Sequence, residues 1–173
     1  MGVLQKLTFI DKYICFNKRL RGDIMYEIDL STLMLIGIDD LSTKIVTQEN
    51  DFICYYNSKD IINHSCKFFG SNLSERIKAT NRLVNISSKS PIIVEESRNI
   101  IFFPLKSTRE KCNIWISFNN LEKYEKDNDY TILYFKNGKQ IKFKFSYYIV
   151  DNQVTRSLML DYELNKRRKS LEK

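Results

Sequence analysis

The chain has 173 residues, 43% of them apolar and 13% aromatic, with five glycines and two prolines. That is enough apolar material for a hydrophobic core, and it excludes a disordered, loop-dominated or collagen-like chain. Lys and Arg outnumber Asp and Glu by 28 to 21, a net charge of +7. Such an excess draws polyanions at long range and admits nucleic acid or an anionic membrane surface, without selecting between them.

No segment approaches the ~20 apolar residues of a membrane-spanning helix. Met1–Ile10 lacks the long apolar stretch and small-residue cleavage site of a secretion signal. A soluble, cytoplasmic chain is expected, with reduced thiols at Cys15, Cys54, Cys66 and Cys112. None of the four forms a CxxC pair or stands at zinc-finger spacing from the one histidine, His64, so no metal or cofactor is called for.

The N-terminal part reads as short strands at Tyr13–Phe16, Ile24–Leu30, Leu33–Ile38 and Phe52–Tyr56. In Ile24–Leu30 apolar and polar residues alternate, with Ile24, Tyr26, Ile28 and Leu30 on one side. Ser31 and Thr32 suit a tight turn before Leu33. Asn72 with Glu75 three residues on reads as a capping box opening a helix over Ser71–Val84. Leu73, Ile77 and Val84 would share one face of it, with Lys78 and Arg82 opposite.

Further strands follow at Ile92–Glu95, Ile100–Phe103 and Asn113–Phe118. Thr131–Phe135 and Gln140–Phe145 flank Asn137-Gly138, the preferred pair of a type I′ hairpin, with Ile141, Phe143 and Phe145 facing inward. Tyr147, Val150, Val154, Leu158 and Tyr162 recur at helical spacing and place a C-terminal helix. Its basic run Lys166-Arg167-Arg168-Lys169 reads as a solvated end that complements the helix dipole. No linker or repeat divides the chain. The expectation is one α+β domain over residues 1–173, with a mainly antiparallel β core, a C-terminal helix and one or two shorter helices. Along it run a β-rich part to residue 60, a core over 61–118, a hairpin over 119–146, a helix over 147–168 and a basic tail over 169–173.

Catalytic constellations are hard to assemble. One histidine limits general-base chemistry, and no phosphate-cradling glycine loop or metalloprotease motif is present. His64 and Cys66, two apart, would share a face if strand-borne, but no third group is evident to orient the pair. The chain therefore does not read as an enzyme. Zinc-finger, basic-zipper and clear helix-turn-helix spacings are missing too.

A set of spaced motifs takes the reading further. His64-Ser65-Cys66-Lys67-Phe68-Phe69-Gly70-Ser71, Arg76, Lys89-Ser90-Pro91-Ile92, Ile101-Phe102-Phe103-Pro104, Ser107-Thr108-Arg109, Cys112 and Trp115-Ile116-Ser117 follow one another in that order. Asn137-Gly138-Lys139, Ser146-Tyr147, Asn152-Gln153-Val154 and Arg156 continue it. Together they resemble the competence transcription factor (ComK) family over roughly residues 50–160. Two features depart from the family pattern. Glu75 stands where the family usually has Gly, which turns Ser71–Val84 into either a capped helix or a loop. The chain also ends at Lys173 without the aromatic-Met-Leu-aromatic-Pro segment by which longer relatives are handed to a protease.

The resemblance implies an activator of DNA-uptake and recombination genes. Such a protein binds paired A/T-rich promoter boxes from the minor groove as an oligomer. Its implied partners are double-stranded DNA, RNA polymerase, further copies of itself and a proteolytic adaptor, and its location is the nucleoid. A-tracts fit this, because their narrow minor groove concentrates negative potential that favours inserted Arg. Arg76 and Arg109 are the first candidates for the groove or its phosphates. Lys67, Lys78, Lys89, Lys106 and Lys111 would add phosphate contacts, which position a protein more than they read sequence. Phe68, Phe69, Phe102, Phe103 and Trp115 are assigned to the core. The competing reading is a diverged relative that regulates through protein contacts of its C-terminal helix, without a DNA preference of its own.

Overall fold

The computed structural model describes residues 25–171; the strand expected at Tyr13–Phe16, and Cys15, lie outside them. Six strands form an antiparallel sheet in the order β3-β2-β1-β6-β5-β4. They are β1 (Thr32–Gly37), β2 (Thr43–Thr47), β3 (Asp51–Cys54), β4 (Ile92–Glu95), β5 (Ile100–Pro104) and β6 (Ile114–Ser117). Helices α1 (Ser58–Phe68) and α2 (Leu73–Val84) connect β3 to β4. A second sheet, β7 (Leu121–Asp127), β8 (Tyr130–Phe135) and β9 (Gln140–Phe143), is followed by the long helix α3 (Tyr147–Leu171). The α+β, mainly antiparallel class expected from the sequence holds.

The central strands are buried on both faces, so they are continuously apolar rather than alternating. On one side Leu35, Ile45, Ile92, Phe102 and Trp115 meet Ile61, Ile62 and Cys66 of α1 and Leu73 of α2. On the other side Met34, Val46, Phe103 and Ile116 meet Leu133 and Phe135 of the small sheet and Val150 of α3. Ile93 and Ile101 pack with Val84 and Leu160, where α2 and α3 converge at the sheet edge. Gly37 serves a close approach: a Cβ there would stand 2.8 Å from the Asn113 nitrogen.

Several local expectations need correction. Residues 25–29 join no ladder. The Ile28 N–H donates instead to the Ser65 hydroxyl at 3.0 Å, and Leu30 is exposed. The chain there runs along α1, which itself was not foreseen. The capped helix at 73–84 is present rather than a loop, with the Asn72 side chain accepting from the Glu75 N–H at 3.0 Å. The β8–β9 connection is not type I′. Gly138 has φ +85° but Asn137 has no positive φ. The Gly138 N–H donates to the Phe135 carbonyl at 2.8 Å and the Phe135 N–H to the Lys139 carbonyl at 2.9 Å, which makes a three-residue loop closed by a left-handed glycine. Strand β7 was also unforeseen; its sequence LEKYEKD carries little apolar alternation.

Helix α3 is rotated from its expected face. Val150, Gln153, Ser157 and Leu160 are buried, whereas Leu158 and Tyr162 of the expected stripe stand exposed with Tyr148 and Met159. The polar pair Gln153 and Ser157 hid the true face. The helix continues to Leu171, into the expected basic tail. Arg168 is not merely solvated: it donates to the Glu96 carbonyl at 2.8 Å and to Asn99 Oδ1 at 3.2 Å on the β4–β5 turn. Phe68 is likewise no core residue, being 60% exposed, while Phe102, Phe103 and Trp115 are fully buried.

Candidate nucleic-acid interface

Helix α1 begins at Asn57, whose side chain accepts from the Asp60 N–H at 2.9 Å. Ile61, Ile62, Ser65 and Cys66 face the sheet, so Lys59, Asp60 and Asn63 face away from it. Asn63 Oδ1 accepts from the Leu73 N–H at 3.1 Å and ties the start of α2 to α1. Two loops close on the groove between them. One follows α2, which ends on Asn85 in the left-handed conformation, and carries Ser87-Ser88-Lys89-Ser90. The other follows β5 and carries Ser107-Thr108-Arg109. The result is an open cleft of about 680 Å³ in which, among the described residues, a serine-rich wall and the three cations Lys59, Lys89 and Arg109 face one carboxylate, Asp60.

The second loop is built by a buried asparagine. Asn113 Oδ1 accepts from the Lys106 N–H at 3.0 Å, and its Nδ2 donates to the Ser107 carbonyl at 2.9 Å. The Asn113 N–H in turn donates to the Ser58 hydroxyl, so the loop is anchored to the first turn of α1. Lys59 Nζ reaches the Arg109 carbonyl at 3.5 Å. Arg109 itself is exposed, so its guanidinium is open to an incoming anion. Hydroxyls and cations on a concave surface are what a phosphate chain requires: N–H and O–H donors for its oxygens and positive charge to displace its counterions.

The seven expected contact residues divide by place. Lys89 and Arg109 line the cleft together. Lys106 precedes the lining residues of its loop, 3.9 Å from Glu110 and 3.4 Å from the Cys112 carbonyl, and Lys111 is exposed on the same loop. Lys67 is exposed near the end of α1, and Lys78 pairs with Glu75 at 2.9 Å on the outer side of α2. Arg76 departs from expectation. It sits on the buried side of α2 at 9% exposure, ion-paired with Glu96 and directed at the Phe69 carbonyl at 3.5 Å, so its guanidinium already serves the fold. The cleft adds Lys59 and Ser87–Ser90 to the candidates. Lys59 escaped notice because α1 did, although Asn57 before Asp60 and the 61, 62, 65, 66 spacing were helix signals.

The premise of a thiol nucleophile fails on geometry. His64 and Cys66 lie on a helix, where positions two apart do not face one another. Cys66 is fully buried, and burial pushes its thiol up to about 12, the opposite of an activated thiolate. His64 turns outward toward Glu27, 3.5 Å away.

A family model described as ComK protein matches residues 24–169. The chain belongs to the ComK family. The competence transcription factor of Bacillus subtilis (strain 168) is 36% identical to it over 141 residues, covering 78% of this chain and 72% of the relative. No solved structure gave a significant match. Within the fold, two separate motifs of the ComK resemblance, Lys89-Ser90-Pro91 and Ser107-Thr108-Arg109, meet at the one cleft. The His64–Ser71 motif forms the second half of α1 and the tight turn into α2, closed by Gly70 at φ +79° and by the Ser71 N–H donating to the Cys66 carbonyl.

Proposed function

We propose that this protein is a DNA-binding transcriptional activator of competence genes, and that duplex phosphates enter the cleft between α1, α2 and the two loops. The supporting observation is the convergence of Lys59, Lys89 and Arg109, from three separate segments, on one serine-rich concavity. Arg109 is the residue assigned to the minor groove of A/T-rich boxes, where the potential is most negative. Lys89 and Lys59 contact phosphates, Lys106 and Lys111 extend the contact along their loop, and Lys67 and Lys78 lie further out. Arg76 holds α2 to the β4–β5 turn. Paired boxes on one face of the duplex require at least two subunits, so the active unit is a dimer or tetramer acting with RNA polymerase in the nucleoid. An adaptor for proteolysis follows from the family resemblance alone.

Mobility shifts on paired A/T boxes and on GC-rich duplexes, at two salt concentrations, test the proposal. Preference for the A/T boxes with a steep loss of affinity at the higher salt supports it. Equal, weak binding to both favours a second reading, a regulator acting through protein contacts. The exposed Tyr148, Leu158, Met159 and Tyr162 of α3 speak for that reading.

A further inference from the structure

The loop that carries Lys89 is held in an unfavourable backbone state. Lys89 has φ +49°, a left-handed conformation that side chains with a Cβ rarely adopt outside Asn and Asp. Such a conformation persists only where the surroundings over-determine it. Three ties do so here. The Asn81 amide, turned with its nitrogen toward the loop, donates to the Ile86 carbonyl at 2.8 Å and to the Ser90 hydroxyl. Pro91 fixes the exit of the loop into β4. The third tie comes from the other side of the sheet edge: Arg156 of α3 donates through Nη1 to the Ser88 carbonyl at 2.8 Å.

Resting on the cleft as the duplex site, we infer that Arg156 is a positioning residue that holds Lys89 toward the phosphates. Ser88 directly precedes Lys89, so fixing its carbonyl fixes the peptide plane on which the Lys89 φ is defined. Freed from Arg156, the loop relaxes toward negative φ and swings the Lys89 ammonium away from the cleft that it lines with Arg109. Arg156 thus acts on DNA through the loop.

The test uses the full chain with Arg156→Met, Arg156→Lys, Lys89→Asn and the Met/Asn double variant. Asn tolerates the left-handed backbone and removes only the charge. Lys89→Asn is expected to weaken A/T-box binding roughly fivefold, as for one exposed charge contact, and to flatten the log–log salt slope by about 0.9. Arg156→Met is expected to do the same, the double variant no more than either, and Arg156→Lys to recover most of the loss. Additive losses would mean that Arg156 meets its own phosphate, and an unchanged Arg156→Met would mean that the loop stands without it; either overturns the inference. In the free protein, the intraresidue HN–Hα NOE of Lys89, strong only where φ is positive, reports the sign of φ by NMR. A positive φ retained in Arg156→Met overturns the inference even if the wild type ignores duplexes, an outcome that counts against the cleft as a DNA site instead.

Discussion

Arg76 and Arg109 were equal candidates in the sequence, and the structure separates them by a measurable difference. Arg76→Met removes the ion pair to Glu96 and the bond to the Phe69 carbonyl while keeping an unbranched apolar stem in the buried site. Glu96 keeps 65% of its side-chain surface in water, so its carboxylate is not stranded and the large penalty of an orphaned buried charge does not arise. Among the described residues Arg76 Nε has no hydrogen-bond partner, and its replacement relieves that desolvation cost. What is lost is a screened, charge-assisted contact, about 1–2 kcal/mol. For a chain of this size that lowers Tm by about 2–8 °C. Trp115, fully buried, reports the unfolding by fluorescence. Duplex affinity measured well below the new Tm is expected to stay within about twofold of wild type, since a factor of two is under 0.5 kcal/mol. A variant of unchanged stability that had lost A/T-box binding would refute this reasoning and return Arg76 to the interface.

Other consequences are open to direct measurement. Arg109→Ala is expected to weaken binding by ~1–3 kcal/mol in mobility shifts, with the urea midpoint unmoved because the side chain is exposed. Gly37→Ala forces a methyl against the Asn113 and Cys112 backbone and is expected to lower stability by about 1–3 kcal/mol in urea melts, more than Gly138→Ala, whose cost is confined to its positive φ. Burial raises Tyr26 and Cys66, each to about 12, from 10.0 and 9.0. Between those values the unfolded state has released protons that the folded state retains. Stability therefore falls as pH climbs from about 9 toward 12, and Cys66→Ala should flatten the early part of that fall. Iodoacetamide at neutral pH should label Cys112, which is partly exposed, well before Cys66.

What the sequence disclosed follows its physics. The two-sided strands β4, β5 and β6 were legible because unbroken runs such as Ile100–Phe103 have few other uses. The α2 cap was legible because the Asn72 side chain satisfies a helix-end N–H group locally, although the Glu75 carboxylate turns to Lys78 rather than back to the cap. Residues 25–30 alternated like a strand, yet the Ile28 N–H is taken by the hydroxyl of Ser65, a long-range choice that no local pattern encodes. The face of α3 was misread because its buried side includes Gln153 and Ser157, and periodicity counts only apolar residues. At the candidate site, residue type marked Lys89 and Arg109, but only tertiary structure brings them to one cleft and turns Arg76 inward.

The most direct check on the cleft is amide hydrogen exchange of the full chain, with and without an A/T-box duplex. Slowed exchange is expected over 59–63, 72–74, 87–90 and 107–109, with the outer strands of the small sheet unchanged. Protection confined to β7–β9, with the cleft segments exchanging as in the free protein, would place the duplex elsewhere and contradict the account.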